Sequence, residues 1–128
     1  MKLKILLFFC STFFIYANDI VTEKLKETAY INLPMLKAKV KDKIYTIEWH
    51  YNDKKLTSLS LREFGNEKNE IKLKDYKALK EAIKKLPERS YICYIFSDYG
   101  PDFLDDDKIK ELSAMSLKLK INFRLFKG

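Results

Sequence analysis

The stretch YICYIFSDYGPDFLDDDKIKELSAMSLKLKINFRLF, residues 91–126, decides how this chain folds. Its opening, YICYIFS, is short, β-rich and continuously apolar, as expected of a strand covered on both faces. After it the rhythm changes. Ile109, Leu112, Met115 and Leu119 recur three or four residues apart, so they share one stripe of a helix. KINFRLF then alternates Ile121, Phe123 and Leu125, which returns the period to two, with Phe126 closing the run. Strand, helix and strand in that order predict a parallel pair joined by a right-handed crossover.

Working back along the chain, LKDYKALKEAIKKLPE places Tyr76, Leu79, Ile83 and Leu86 at helical spacing. Asp75 suits the start of this helix and Pro87 its end. Its lysines, with Glu81 among them, read as a solvated face. Earlier still, the period is two. Leu36, Ala38 and Val40 alternate with Lys37, Lys39 and Lys41, which predicts a strand whose outer lysines discourage pairing at a sheet edge. IYTIEWHY sets Tyr45, Ile47 and Trp49 on one face, and Ile44, Thr46, Glu48 and His50 on the other. LTSLSL alternates Leu59 and Leu61 with serines. The turns Lys41-Asp42-Lys43 and Asn52-Asp53-Lys54 would join these segments into an antiparallel meander, closed by the polar loop around Gly65-Asn66. The expected fold is a single α+β domain over residues 35–128. Its order is β-β-β-α-β-α-β, a mixed sheet with helices packed on one face.

Residues 1–17, MKLKILLFFCSTFFIYA, read as a secretory signal: Lys2 and Lys4, then an uncharged apolar run, then Ala17 before polar Asn18-Asp19. The run is shorter than the roughly 20 apolar residues of a membrane span. Bulky Phe9 before Cys10 does not suit a lipid-anchor site. Residues 18–34 form a charged lead-in. The expectation is a cleaved, periplasmic or secreted protein with no integral span after cleavage; retention as an anchor is the other outcome. Cleavage leaves Cys93 as the one cysteine, so neither an internal disulfide nor a zinc set with the lone His50 can be built. Cys93, inside an apolar strand, reads as a small buried hydrophobe.

The formal charge is +7, and loss of the two leader lysines leaves +5. Arg62, Arg89 and Arg124 are the only arginines, so the excess is lysine, a hydrated point charge without the bidentate grip of arginine on phosphate and bases. Export and scarce arginine argue against nucleic acid. A protein or an anionic envelope polymer is the partner class left, with a sheet-edge dimer also compatible.

Five aspartates fall between positions 98 and 107 of this basic chain. Asp105 is a natural N-cap, and Asp106 and Asp107 favour the positive end of the helix dipole. Asp98 and Asp102 are not explained that way. They sit on a loop, bent at Gly100-Pro101, that leaves the carboxyl end of a parallel strand, where open α/β sheets bind ligands. The spacing does not match the calcium loop pattern, so no metal is assigned, with Asp98 and Asp102 the weak candidates. His50 lacks an evident nucleophile; Glu48 shares its strand face. Trp49, Tyr45 and Tyr51 could form an aromatic platform, although one sheet face must also be buried. The candidate binding set is Trp49, His50, Asp98, Tyr99 and Asp102, with no catalytic residue and no cofactor assigned.

YIFSDYG followed by a helix and INFRLF resembles, in shape, the closing unit of von Willebrand A-type domains. Their D-x-S-x-S metal motif is absent, so metal-dependent adhesion does not carry over. The helix-strand-helix-strand ending after a meander is similar to the periplasmic domain of ExbD/TolR-type proteins. That likeness would imply a sheet-forming dimer in envelope transport, but residues 5–17 lack the intramembrane Asp of their anchor. The functional expectation is an exported, non-enzymatic binding or accessory module, using loop 97–105, a sheet edge at 36–41, or both. The alternatives are a small cation-dependent or hydrolytic enzyme built on Asp98 and Asp102 with His50, and an inhibitor or immunity-type protein.

Overall fold

A computed structural model describes residues 33–97 and 100–128. The expected leader, nearly all of the lead-in, and Asp98 and Tyr99 lie outside the described residues. The elements are α1 (Leu33–Lys39), β1 (Ile44–Asn52), β2 (Lys55–Glu63), β3 (Glu70–Lys72), α2 (Tyr76–Lys84), β4 (Tyr91–Phe96), α3 (Asp106–Lys118) and β5 (Asn122–Lys127). One mixed sheet runs in the order β3-β2-β1-β4-β5. β1–β2 and β2–β3 are antiparallel; β1–β4 and β4–β5 are parallel. The molecule is the single α+β domain that the residue periods predict.

The hairpin between β1 and β2 closes through Asp53 and Lys54, both left-handed at φ 50° and 63°. Consecutive left-handed residues give the two-residue turn whose twist matches antiparallel strands. α2 starts at Asp75, whose carboxylate accepts from the Ala78 N–H at 2.9 Å. α3 starts at Asp105, which accepts from the Lys108 N–H at 2.8 Å, with Asp106 and Asp107 in its first turn. Three of the five clustered aspartates are therefore helix-start chemistry, as read from the sequence.

α2 and α3 cover one face of the sheet. Leu61, Leu79, Ile83, Ile92, Tyr94 and Leu112 are each 0% exposed there. Full burial of such side chains is worth about 1.5–3 kcal/mol each, which makes this layer the main source of stability. Beneath the other face, Ile44 and Cys93 pack with Leu33, and Leu36 and Val40 close over them.

That second cluster corrects the expected strand at 36–41: its first four residues complete the helix Leu33–Lys39, and no sheet edge lies there. Leu33, Leu36 and Val40 are three and four apart, a helical stripe that the Leu-Lys alternation masks. Pro34 sits in the first turn, where its missing N–H costs nothing. Lys37 ties the helix down by donating to the Phe64 carbonyl at 3.0 Å. Gly65 follows at φ 83°, and any Cβ there would run into the Lys37 side chain. The third strand of the meander is instead Glu70–Lys72, which begins at the last residue of the polar loop FGNEKNE. Glu63 organises that loop by accepting from the side-chain amides of Asn66 and Asn69, at 3.2 and 2.8 Å.

Candidate functional site

The sheet order sets the carboxyl ends of β1 and β4 side by side, because these two strands are parallel neighbours with Ile47 opposite Tyr94. A cleft of about 350 Å³ opens there. β1 contributes Trp49, His50 and Tyr51; the loop after β4 contributes Ser97, Gly100, Pro101 and Asp102. The pairing of β1 with β2 shifts between His50 and Tyr51, where Thr57 is left over, and the Thr57 hydroxyl donates to the His50 carbonyl at 3.1 Å. A bulge of this kind re-aims neighbouring side chains, and three consecutive residues of β1 line the cleft.

Its wall is built from aromatics. The Trp49 ring stacks on Tyr94, with centroids 4.9 Å apart and planes at 22°. The Trp49 indole N–H donates to the Pro101 carbonyl at 2.9 Å. The Tyr94 hydroxyl accepts from the Leu104 N–H at 3.0 Å, and burial holds that hydroxyl well above the usual tyrosine range. Asp102 accepts from the Ser97 N–H at 3.4 Å across the base of the loop. Phe103 and Leu104 then drop into the core at 8% and 1% exposure. The loop is thus anchored at its far end by burial and at its rim by an indole hydrogen bond.

Three of the residues singled out from the sequence, Trp49, His50 and Asp102, come together in this cleft. Asp98 and Tyr99 lie outside the described residues, in sequence between the lining residues Ser97 and Gly100. Tyr45 is core at 4% exposure, so it contributes no platform; Trp49 and Tyr51 are only half-buried. Sequence reading covered Ser97 and Pro101 only as parts of loop 97–105, and it missed the supporting Tyr94. Period-two patterning assigns Tyr94 to a face, but only the β1–β4 register sets it beneath Trp49.

Glu48, the carboxylate on the strand face of His50, is engaged elsewhere. Arg62 reaches it at 3.3 Å and Glu70 at 3.4 Å. Glu48 raises the Arg62 pKa further, while hydrogen bonds from Ser60 and Arg62 lower that of Glu70. Among the described residues, no three His, Cys, Asp or Glu side chains gather as a metal-ion set. Cys93 is 0% exposed, and burial pushes its thiol up to about 12. Among the described residues, no helix is long and apolar enough to cross a membrane.

The chain matches no family model, no curated protein and no solved structure. The two family resemblances therefore extend no further than the order of elements.

Proposed function

We propose that this protein is an exported, non-enzymatic binding module, acting in the periplasm or outside the cell, which recognises a protein or envelope polymer through the cleft between β1 and the loop after β4. One observation carries the reading. A half-buried indole, an exposed imidazole and a carboxylate from distant parts of the chain share one open cleft at the carboxyl ends of parallel strands, the end where open α/β sheets hold ligands. Aromatic surface flanked by a few polar groups is the composition of recognition sites. The catalytic reading is less well supported, because a general base needs an orienting partner and Glu48 is engaged by Arg62.

The test is site-specific photocrosslinking in cells making the full chain. A benzophenone amino acid replaces Tyr51 or Ser97 in the cleft, or exposed Lys118 on α3 as a control. A discrete adduct from positions 51 and 97, missing at 118 and lost on Asp102→Lys, supports the cleft. Equal labelling at all three positions, or none, overturns it. Fractionation and the mass of the mature N-terminus test export and cleavage after Ala17.

A further inference from the structure

The other end of the sheet carries an independent feature, sharing no lining residue with the cleft. β3 is the edge strand beside β2. Leu73 N–H donates to Leu59 O at 2.8 Å, and Glu63 N–H to Asn69 O at 3.0 Å. In an antiparallel pair hydrogen-bonded residues alternate, so Asn69, Ile71 and Leu73 face β2. The backbone N–H and C=O groups of Glu70 and Lys72 therefore point away from the sheet, and among the described residues no strand lies beyond them.

Alongside this edge runs a groove of about 520 Å³ between β3 and α2. Its floor is apolar: Ile71, Leu73, Ala78, Ala82 and Leu86. Its rim is charged but unbalanced. Asp75 caps α2, and Glu81 pairs with Lys84 at 3.1 Å while also sensing Lys77 and Lys85, so three lysines face two carboxylates on this rim. Lys74, Lys77 and Lys85 on the same rim are exposed and make no ion pair within 4.0 Å among the described residues. An open strand edge beside an apolar groove is the layout in which an added strand supplies main-chain hydrogen bonds and alternate side chains fill pockets.

We propose that this edge and groove bind an extended acidic peptide segment. It pairs with Glu70 and Lys72 of β3 as a sixth strand; of its groove-facing alternate side chains, the central apolar ones sit on Ile71, Leu73 and Leu86 and the flanking carboxylates reach Lys74, Lys77 and Lys85. The net positive rim selects acidic over basic segments, and a second copy of this basic chain is disfavoured as occupant for the same reason.

The probe is a synthetic peptide, acetyl-Glu-Thr-Val-Thr-Ile-Thr-Glu-amide, whose odd positions share one face, titrated into the folded protein and followed by NMR. The proposal expects methyl shifts at Ile71 and Leu73, and amide exchange at Glu70 and Lys72 slowed by about tenfold or more on saturation. Binding should weaken at least about tenfold in about 0.5 M NaCl, and likewise when lysines replace the acids of the peptide. Lys72→Pro removes one outward N–H without touching a β2–β3 ladder bond, and should abolish the protection at unchanged Trp49 emission. If that variant fails to fold, the surface pair Lys74→Glu with Lys77→Glu serves instead and should prevent binding. Equal binding of the lysine peptide, the absence of shifts at Ile71 and Leu73, or protection at β5 instead overturns the proposal. Protection that grows with protein concentration in the absence of peptide also overturns it, assigning the edge to a second copy. Trp49 emission serves here only as a folding control, and no binding readout involves the β1–β4 cleft, so failure here leaves the photocrosslinking result standing.

Discussion

Trp49 donates its indole N–H to the carbonyl of Pro101 at 2.9 Å, joining β1 to the loop after β4 across 52 positions of sequence. The same ring lies on Tyr94, whose hydroxyl holds the Leu104 N–H. One aromatic pair thus sets both the rim and the root of the candidate site.

The two hydrogen bonds differ in burial, and so should their deletions. Trp49→Phe keeps an aromatic ring on Tyr94 and leaves the exposed Pro101 carbonyl to water. It should cost about 1 kcal/mol. Tyr94→Phe leaves the buried Leu104 N–H unpaired and should cost more, about 1–3 kcal/mol. Urea denaturation of both variants checks the order. Trp49 is the only tryptophan, so circular dichroism follows both transitions, and in Tyr94→Phe the remaining indole emission also reports on the cleft.

Lys54 holds φ 63° in the β1–β2 turn with no special reason to be lysine. A left-handed non-glycine residue costs roughly 1–2 kcal/mol, less the greater chain entropy that glycine loses on folding. Lys54→Gly should therefore stabilise the hairpin by about 0.5–1 kcal/mol, read as a raised urea midpoint at unchanged slope.

Cys93 should be inert while the protein is folded. It is fully buried, and its thiol, pushed up to about 12, holds almost no thiolate at neutral pH. Iodoacetamide at pH 8 should leave the Cys93 peptide unlabelled in the native protein and label it fully in urea. Mass spectrometry of the peptides separates it from Cys10.

Acid should weaken the fold through Glu70 and Glu111, alongside Glu81, which Lys84 also holds low. Hydrogen bonds from Ser60 and Arg62 lower the pKa of Glu70; those from Lys80 and Tyr76 lower that of Glu111. Each carboxyl has a lower pKa folded than unfolded. The stability it contributes is present above the unfolded glutamate value and is lost as pH falls through the folded one. Urea midpoints should therefore fall below the usual glutamate range, and less steeply in Glu111→Gln. These groups are solvent-accessible, so added salt should shrink the effect.

Much of the fold was legible before any coordinates. The stripe Ile109-Leu112-Met115 and the caps Asp75 and Asp105 are local signals, and each landed where its period or hydrogen-bond chemistry required. Leu36-Ala38-Val40 misled because a short apolar alternation fits two periods. Leu33 and Pro34, one turn earlier, tip it toward helix only once the apolar surface of Ile44 and Cys93 is there to receive it. β3 was missed because three residues carry too little pattern to stand out from FGNEKNE.

The residue order by itself determined the α+β class, both long helices, the parallel closing unit and the location of a loop worth inspecting, since these depend on contacts or periods within short windows. Tertiary structure alone decided that β1 and β4 are neighbours. That pairing sets Trp49 on Tyr94 and draws His50 and Asp102 into one cleft, while the β1–β2 register leaves Glu48 to Arg62. It also put the open edge at β3 rather than at 36–41. Strand order and register are settled by which faces can be buried together across the whole chain, a condition that no local window contains.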